Sequence, residues 1–129
     1  MAKCKEVALS HIQRGANVVF QVAGGCGLGA LGAAKDKKKW GIGVDADQAY
    51  LGAHILTSAV KRVDESVYQS ISAVQKGNFR GGMNATFSLR NKGVGYGKVS
   101  KKVSKKIIAQ VETLKKQIIS GKVKVPAKL

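Results

Sequence analysis

The sequence predicts an α/β fold, a parallel sheet flanked by helices. Two observations carry this. Short β-branched apolar runs alternate with segments whose apolar residues recur every three or four positions. The first of the runs, "NVVFQVA", is apolar on both faces, as strands covered by helices on both sides tend to be.

Residues 2–14 read as a helix. Cys4, Val7, Ala8 and Ile12 make one stripe, and Gly15 supplies a stop. "NVVFQVA" follows as a buried strand. Gly24 to Gly29 form a turn, and Leu28 to about Lys38 a helix with a small-residue face that packs close to the sheet. Lysines 35 and 37–39 suit the negative end of that helix dipole. "WGIGVD" is the second strand and "HILTSAV" the third. Val63, Val67, Ile71 and Val74 then mark a helix, with Asp64 and Glu65 in its first turn and Gly77 past its end. "MNATFSL" alternates, with Met83, Ala85, Phe87 and Leu89 on one side, and predicts a half-buried strand. "NKGVGYG" predicts a turn and a short strand. Ser100 or Ser104 starts a last helix, striped by Val103, Ile107, Val111, Leu114 and Ile118 and ended by Gly121. "KVKVPAKL" is a tail.

Composition bounds the function. A chain of 129 residues with 44% hydrophobic content can bury one core. No apolar run approaches the roughly 20 residues that cross a bilayer, and "MAKCKEV" lacks an apolar signal core. Cys4 and Cys26 allow at most one disulfide, and His11 and His54 have no companions at metal spacing. No metal or other cofactor is expected. The net charge is +16, and ten lysines against Glu112 lie from Lys98 onward. Such charge suits an anionic partner or a solvated face. Nucleic acid is the weaker choice, because 19 of the 23 basic residues are lysine and few aromatics are interleaved.

In a parallel sheet, ligands sit at the carboxyl ends of the strands. That rule selects Ala23–Gly29, Asp45–Gln48 and Ser58–Arg62. The first offers glycine backbone ahead of a helix N-terminus, and Gly27, Gly29 and Gly32 spell G-x-G-x-x-G. A ligand-free tight turn would need the same residues. The second offers Asp45 and Asp47, carboxylates able to accept two hydrogen bonds from a vicinal diol, or to cap the next turn. Gln48 reads as a turn residue more readily than as a contact. The third offers Lys61, which can donate to a ligand hydroxyl and pair with Asp45. Catalysis finds little support: Ser58 has no visible triad partner, and Cys26 has a helix N-terminus beside it but no evident base.

The blocks "GANVVFQVAGGCGLGALGAAK", "WGIGVDADQ", "ILTSAVKRVDESVY" and "QIISGKVKVP" closely resemble the basic membrane protein family, in the same order and over nearly the whole chain. These are lipid-anchored, extracytoplasmic substrate-binding proteins of ABC transporters. The resemblance implies a type I periplasmic-binding fold of two lobes, capture of purine nucleosides, no enzymatic activity, and a permease as partner at the cell membrane. The family's "VD-x-DQ" block falls on Val44–Gln48 and makes Asp45 the ribose acceptor, with Asp47 beside it. Its "TS-x-x-KR" block falls on Thr57–Arg62 and makes Lys61 the partner donor. Its "AGG-x-G" turn falls on Ala23–Gly27 and sets Gly24 and Gly25 against the ligand. Cys26 stands where the family usually has threonine.

Family members are longer by a whole lobe. The chain is therefore expected to be one lobe plus the C-terminal return segment: a second-lobe α/β core over residues 1–80, then return strands and an amphipathic helix over 81–129, all in one domain. The missing first lobe, or a second copy of the chain, would complete the cleft. The sequence admits two rival readings. A Rossmann-like dinucleotide-binding domain would use the same glycines and Asp45 but prefer a dinucleotide. A basic nucleic-acid or envelope-binding module would use the Lys98–Lys128 region.

Overall fold

The computed structural model describes residues 1–126. The end of the basic tail, including Lys128, lies outside them. Among the described residues, four α-helices and four strands follow in the order α1 (Ala2–Gln13), β1 (Val18–Phe20), α2 (Gly27–Asp36), β2 (Trp40–Asp45), β3 (Ile55–Lys61), α3 (Val63–Gln75), β4 (Val94–Tyr96) and α4 (Lys105–Ser120). The sheet order is β1-β2-β3-β4. β1 pairs in parallel with β2, and β2 with β3. The return segment runs the other way: Gly97 N donates to Ser58 O and Ser100 N to Leu56 O. A mostly parallel sheet flanked by helices is thus the observed architecture.

The chain divides into two compact units. The first comprises Met1–Lys61 with Tyr96–Lys102, the second Arg62–Gly95 with the described residues from Val103 onward. The helix α3 belongs to the second.

The first unit holds the core. Ala8 and Ile12 of α1 meet Ala30 and Ala33 of α2, with Cys4, Leu9 and Val19 packed on them. These small side chains let two helices and a strand approach closely. Lys5 and Asp36 pair at 2.7 Å across the two helices. Leu31 is the largest apolar side chain removed from water, and it fills the space left by Gly41 of β2, where a Cβ would sit 2.7 Å from it.

β1 departs from expectation. Val19 packs on the helical side, but Val18 and Phe20 are 43% and 54% exposed. Helices α1 and α2 form one layer on one face, so an apolar run on both faces does not become a strand buried on both.

In the second unit, α3 and α4 carry their predicted apolar stripes with no buried residue among them. Ser104 is the N-cap of α4, its Oγ accepting from Ile107 N, and Gly121 ends the helix in the left-handed region at φ +81°. Ser100 lies outside the helix. The strand expected over "MNATFSL" is absent. Asn91 captures that backbone instead: its Oδ1 accepts from Ser88 N at 2.7 Å, and its Nδ2 donates to Thr86 O at 2.8 Å. Side-chain bonds of this kind compete with a sheet ladder and bend the segment into a loop.

Candidate functional site

The parallel register carries β1, β2 and β3 to a common carboxyl rim: Phe20 lies level with Ile42, and Asp45 with Val60. The five residues selected from the sequence stand there. Gly24 and Gly25 lie in a one-turn 3-10 segment after β1. Asp45 ends β2, Asp47 is in the loop beyond it, and Lys61 ends β3.

The structure brings two of them together. Lys61 Nζ lies 2.8 Å from Asp45 Oδ1, with both side chains more than half exposed. The backbone at Asp45 is unusual. Its φ is +67°, and Ala46 N donates to Val44 O at 2.8 Å. This is a three-residue γ-turn centred on a non-glycine residue in the left-handed region, a strained conformation. The turn ends the strand abruptly and puts the carboxylate on the rim.

Asp47 is differently engaged. Its Oδ2 accepts from Lys98 N at 2.9 Å, and its Oδ1 from Ala49 N at 3.1 Å and Ser58 Oγ at 3.4 Å. The Lys98 N–H, foremost, holds its carboxyl below the ordinary carboxylate value, against the cost of desolvation. Asp47 therefore caps its own loop and latches the return segment to the sheet.

Behind the rim lies a polar network whose organisation sequence reasoning missed. Gln21 is buried, and its Oε1 accepts from Ala23 N at 3.1 Å while its Nε2 donates to Gln48 Oε1 at 3.2 Å. Gln48 Oε1 also accepts from Val44 N, and Gln48 N donates to the fully buried Ser58 Oγ. The network ties the ends of β1, β2 and β3 together. Its one sequence signal was a glutamine inside an otherwise apolar run.

The glycine motif has a packing explanation. A side chain at Gly27 would collide with Gln21, and one at Gly29 with the Met1 backbone of α1. Both glycines thus make room for the chain itself. Gly24 and Gly25 differ: a Cβ there would meet nothing within 4 Å, and Gly24 has φ +52°. Their backbone faces open space beside the rim. Cys26, next in the chain, is bonded to Cys4. Among the described residues no cluster could hold a metal ion, and no helix is long and apolar enough to cross a membrane.

This architecture is shared with solved ABC transporter solute-binding proteins. The Aeropyrum pernix K1 structure of that class superposes with a TM-score of 0.80 and 27% identity over 97% of this chain and 44% of that one. The chain belongs to the Bmp family, the PnrA-like ABC transporter substrate-binding proteins, whose profile matches residues 1–128. Among its relatives, a Listeria monocytogenes protein named CD4+ T-cell-stimulating antigen is 35% identical over 98% of this chain and 40% of its own length. The Lactococcus lactis protein named ABC transporter nucleoside-binding protein BmpA is 36% identical over 98% of this chain and 41% of its own. The chain thus spans about two fifths of the length of these relatives.

Proposed function

We propose that this chain supplies the sugar-gripping wall of a purine-nucleoside site in an ABC transporter substrate-binding protein, and has no enzymatic role. Asp45 accepts from the ribose 2′ and 3′ hydroxyls, and Lys61 holds the carboxylate and donates to a hydroxyl or ring oxygen. Gly24 and Gly25 border the ligand through backbone. Asp47 serves the site by holding the loop beneath it.

The observation that carries this reading is the Asp45–Lys61 pair on a strained turn. An ion pair this exposed stabilises a fold by at most about 1 kcal/mol. A left-handed non-glycine residue costs about 1–3 kcal/mol. The arrangement is poor as a stabiliser and well placed as a grip. The name of the Lactococcus relative supports the nucleoside assignment. A complementary lobe, or a second copy of the chain, closes the other side of the cleft, and a permease receives the ligand. The site of action is the extracytoplasmic face of the membrane, which suits the Cys4–Cys26 disulfide, since such bonds persist in oxidising compartments.

One wall binds weakly, so the test is an isotope-labelled NMR titration with adenosine, guanosine and inosine, their 5′-monophosphates, and NAD. Shifts should centre on Gly24, Gly25, Asp45 and Lys61, and Asp45→Asn should weaken them about tenfold or more, the effect of losing hydrogen bonds to a charged acceptor. Stronger binding of NAD than of any nucleoside would replace this reading with the dinucleotide one.

A further inference from the structure

We propose that the Cys4–Cys26 disulfide is a brace for the Ala23–Cys26 turn, and that opening it with a dithiol reductant loosens the turn and weakens ligand capture. The ligand-facing role of that turn rests on the function proposed above; the brace itself rests on the geometry alone.

The turn has few anchors of its own. Val22 through Gly25 are exposed. Neither Gly24 nor Gly25 offers a side chain to pack, and glycine backbone is the most costly to order. On the strand side, one contact holds it: Ala23 N to the buried Gln21 Oε1, at 3.1 Å. On the helix side stand the hydrogen bond from Gly27 N to Gly24 O and the covalent bond from Cys26 to Cys4, with the two Cα atoms 5.8 Å apart and 22 residues apart in the chain. Cys4 lies on α1, whose Ala8 and Ile12 are packed against Ala30 and Ala33 of α2. The disulfide thus ties the loosest part of the rim to the best-packed helix pair. Both cysteines are half-buried, within reach of a small reductant.

The chemistry is a two-electron exchange. A dithiol attacks one sulfur as a thiolate, the S–S bond breaks, and a mixed disulfide forms. The second thiol of the reductant resolves it. Cys4 and Cys26 leave as thiols, each having gained one proton and one electron, and the reductant leaves as its own cyclic disulfide. With both thiols free, α1 and α2 keep their apolar contacts, and the turn loses its covalent tether to α1.

The test is amide hydrogen exchange on the whole chain, oxidised and after dithiothreitol, with alkylation and mass measurement to count thiols. On reduction, exchange of the hydrogen-bonded Ala23 and Gly27 amides should rise at least tenfold while β2 and β3 stay protected, and adenosine-induced shifts at Asp45 should weaken several-fold. The double variant C4S/C26S should reproduce the reduced state without reductant. Two free thiols in the untreated chain, unchanged exchange in the turn, or loss of protection in β2 together with the turn would each overturn the brace. The exchange arm needs no ligand. Absence of adenosine binding in both redox states would instead count against the proposed function and leave the brace standing.

Discussion

The two units use the same kind of amphipathic pattern to different ends. In the first, α1 and α2 bury Ala8, Ile12, Ala30, Leu31, Ala33 and Ala34. In the second, α3 and α4 bury none, although both helices are longer and each carries an apolar stripe. Val67 and Ile71 are 53% and 55% exposed, and Leu114 is 50% exposed. Small residues account for the difference. Alanines and glycines bring α2 within reach of α1 and the sheet, and close approach is what excludes water. Branched side chains on an isolated stripe cannot do this without an opposing surface. A periodic pattern therefore states which face a helix offers, and packing partners decide whether the face is buried.

The largest test of that contrast is a pair of leucine truncations. Leu31→Ala should cost about 3 kcal/mol, within the usual range for a large-to-small change in a core. Leu114→Ala, with half its side chain in water, should cost under about 1 kcal/mol. Urea unfolding followed by fluorescence of the single tryptophan, Trp40 on β2, reads the first unit, and helical circular dichroism reads α3 and α4 as well. Equal losses from the two substitutions would show that the second unit is packed as firmly as the first.

Next in size is the latch. Asp47→Ala should cost about 1–2 kcal/mol, because three donors, Lys98 N, Ala49 N and Ser58 Oγ, lose a charged acceptor. The pH dependence follows from the direction of the shift. The folded carboxyl is held below its ordinary value, so the unfolded chain binds the proton more readily. The stabilisation is fully present above the unfolded value of about 3.9 and is lost as pH falls below it toward the folded value. Asp47→Asn should flatten that part of the acid unfolding curve. An unaltered curve would place the acid sensitivity elsewhere.

Much of this was legible in the sequence, and the exceptions have physical reasons. All four α-helices could be read because periodicity, Ser104 and the glycines that follow α1, α3 and α4 are local signals, whereas the one-turn 3-10 segments at Gly24–Cys26 and Ala49–Leu51 carry no periodicity. The ends of β2 and β3 could be read because a charge terminates each apolar run. The carboxyl-end rule then brought Asp45 and Lys61 to one rim. The γ-turn at Asp45 could not be read, since a left-handed aspartate looks like any other. Gln21 and Gln48 meet across 27 positions, and nothing local announces such a bond. Two cysteines permitted a disulfide but did not say whether Cys4 and Cys26 approach. "MNATFSL" misled because alternation describes a strand's faces and not its partner, and Asn91 offered the backbone a nearer one.

The smallest expected effect is the most discriminating for the two-unit division. Ser104 caps α4 through one long hydrogen bond, 3.4 Å from Oγ to Ile107 N. Ser104→Ala should cost about 1 kcal/mol of local helix stability, the usual value for a lost cap. Because α4 has no buried residue to couple it to a core, that cost should appear as fraying: faster amide exchange over the first turn of α4 and a small loss of helical circular dichroism. The tryptophan-detected midpoint of the first unit should not move. A midpoint that falls with the helix signal would mean the two units unfold as one cooperative body, and the division by burial would then describe surface exposure without independent stability.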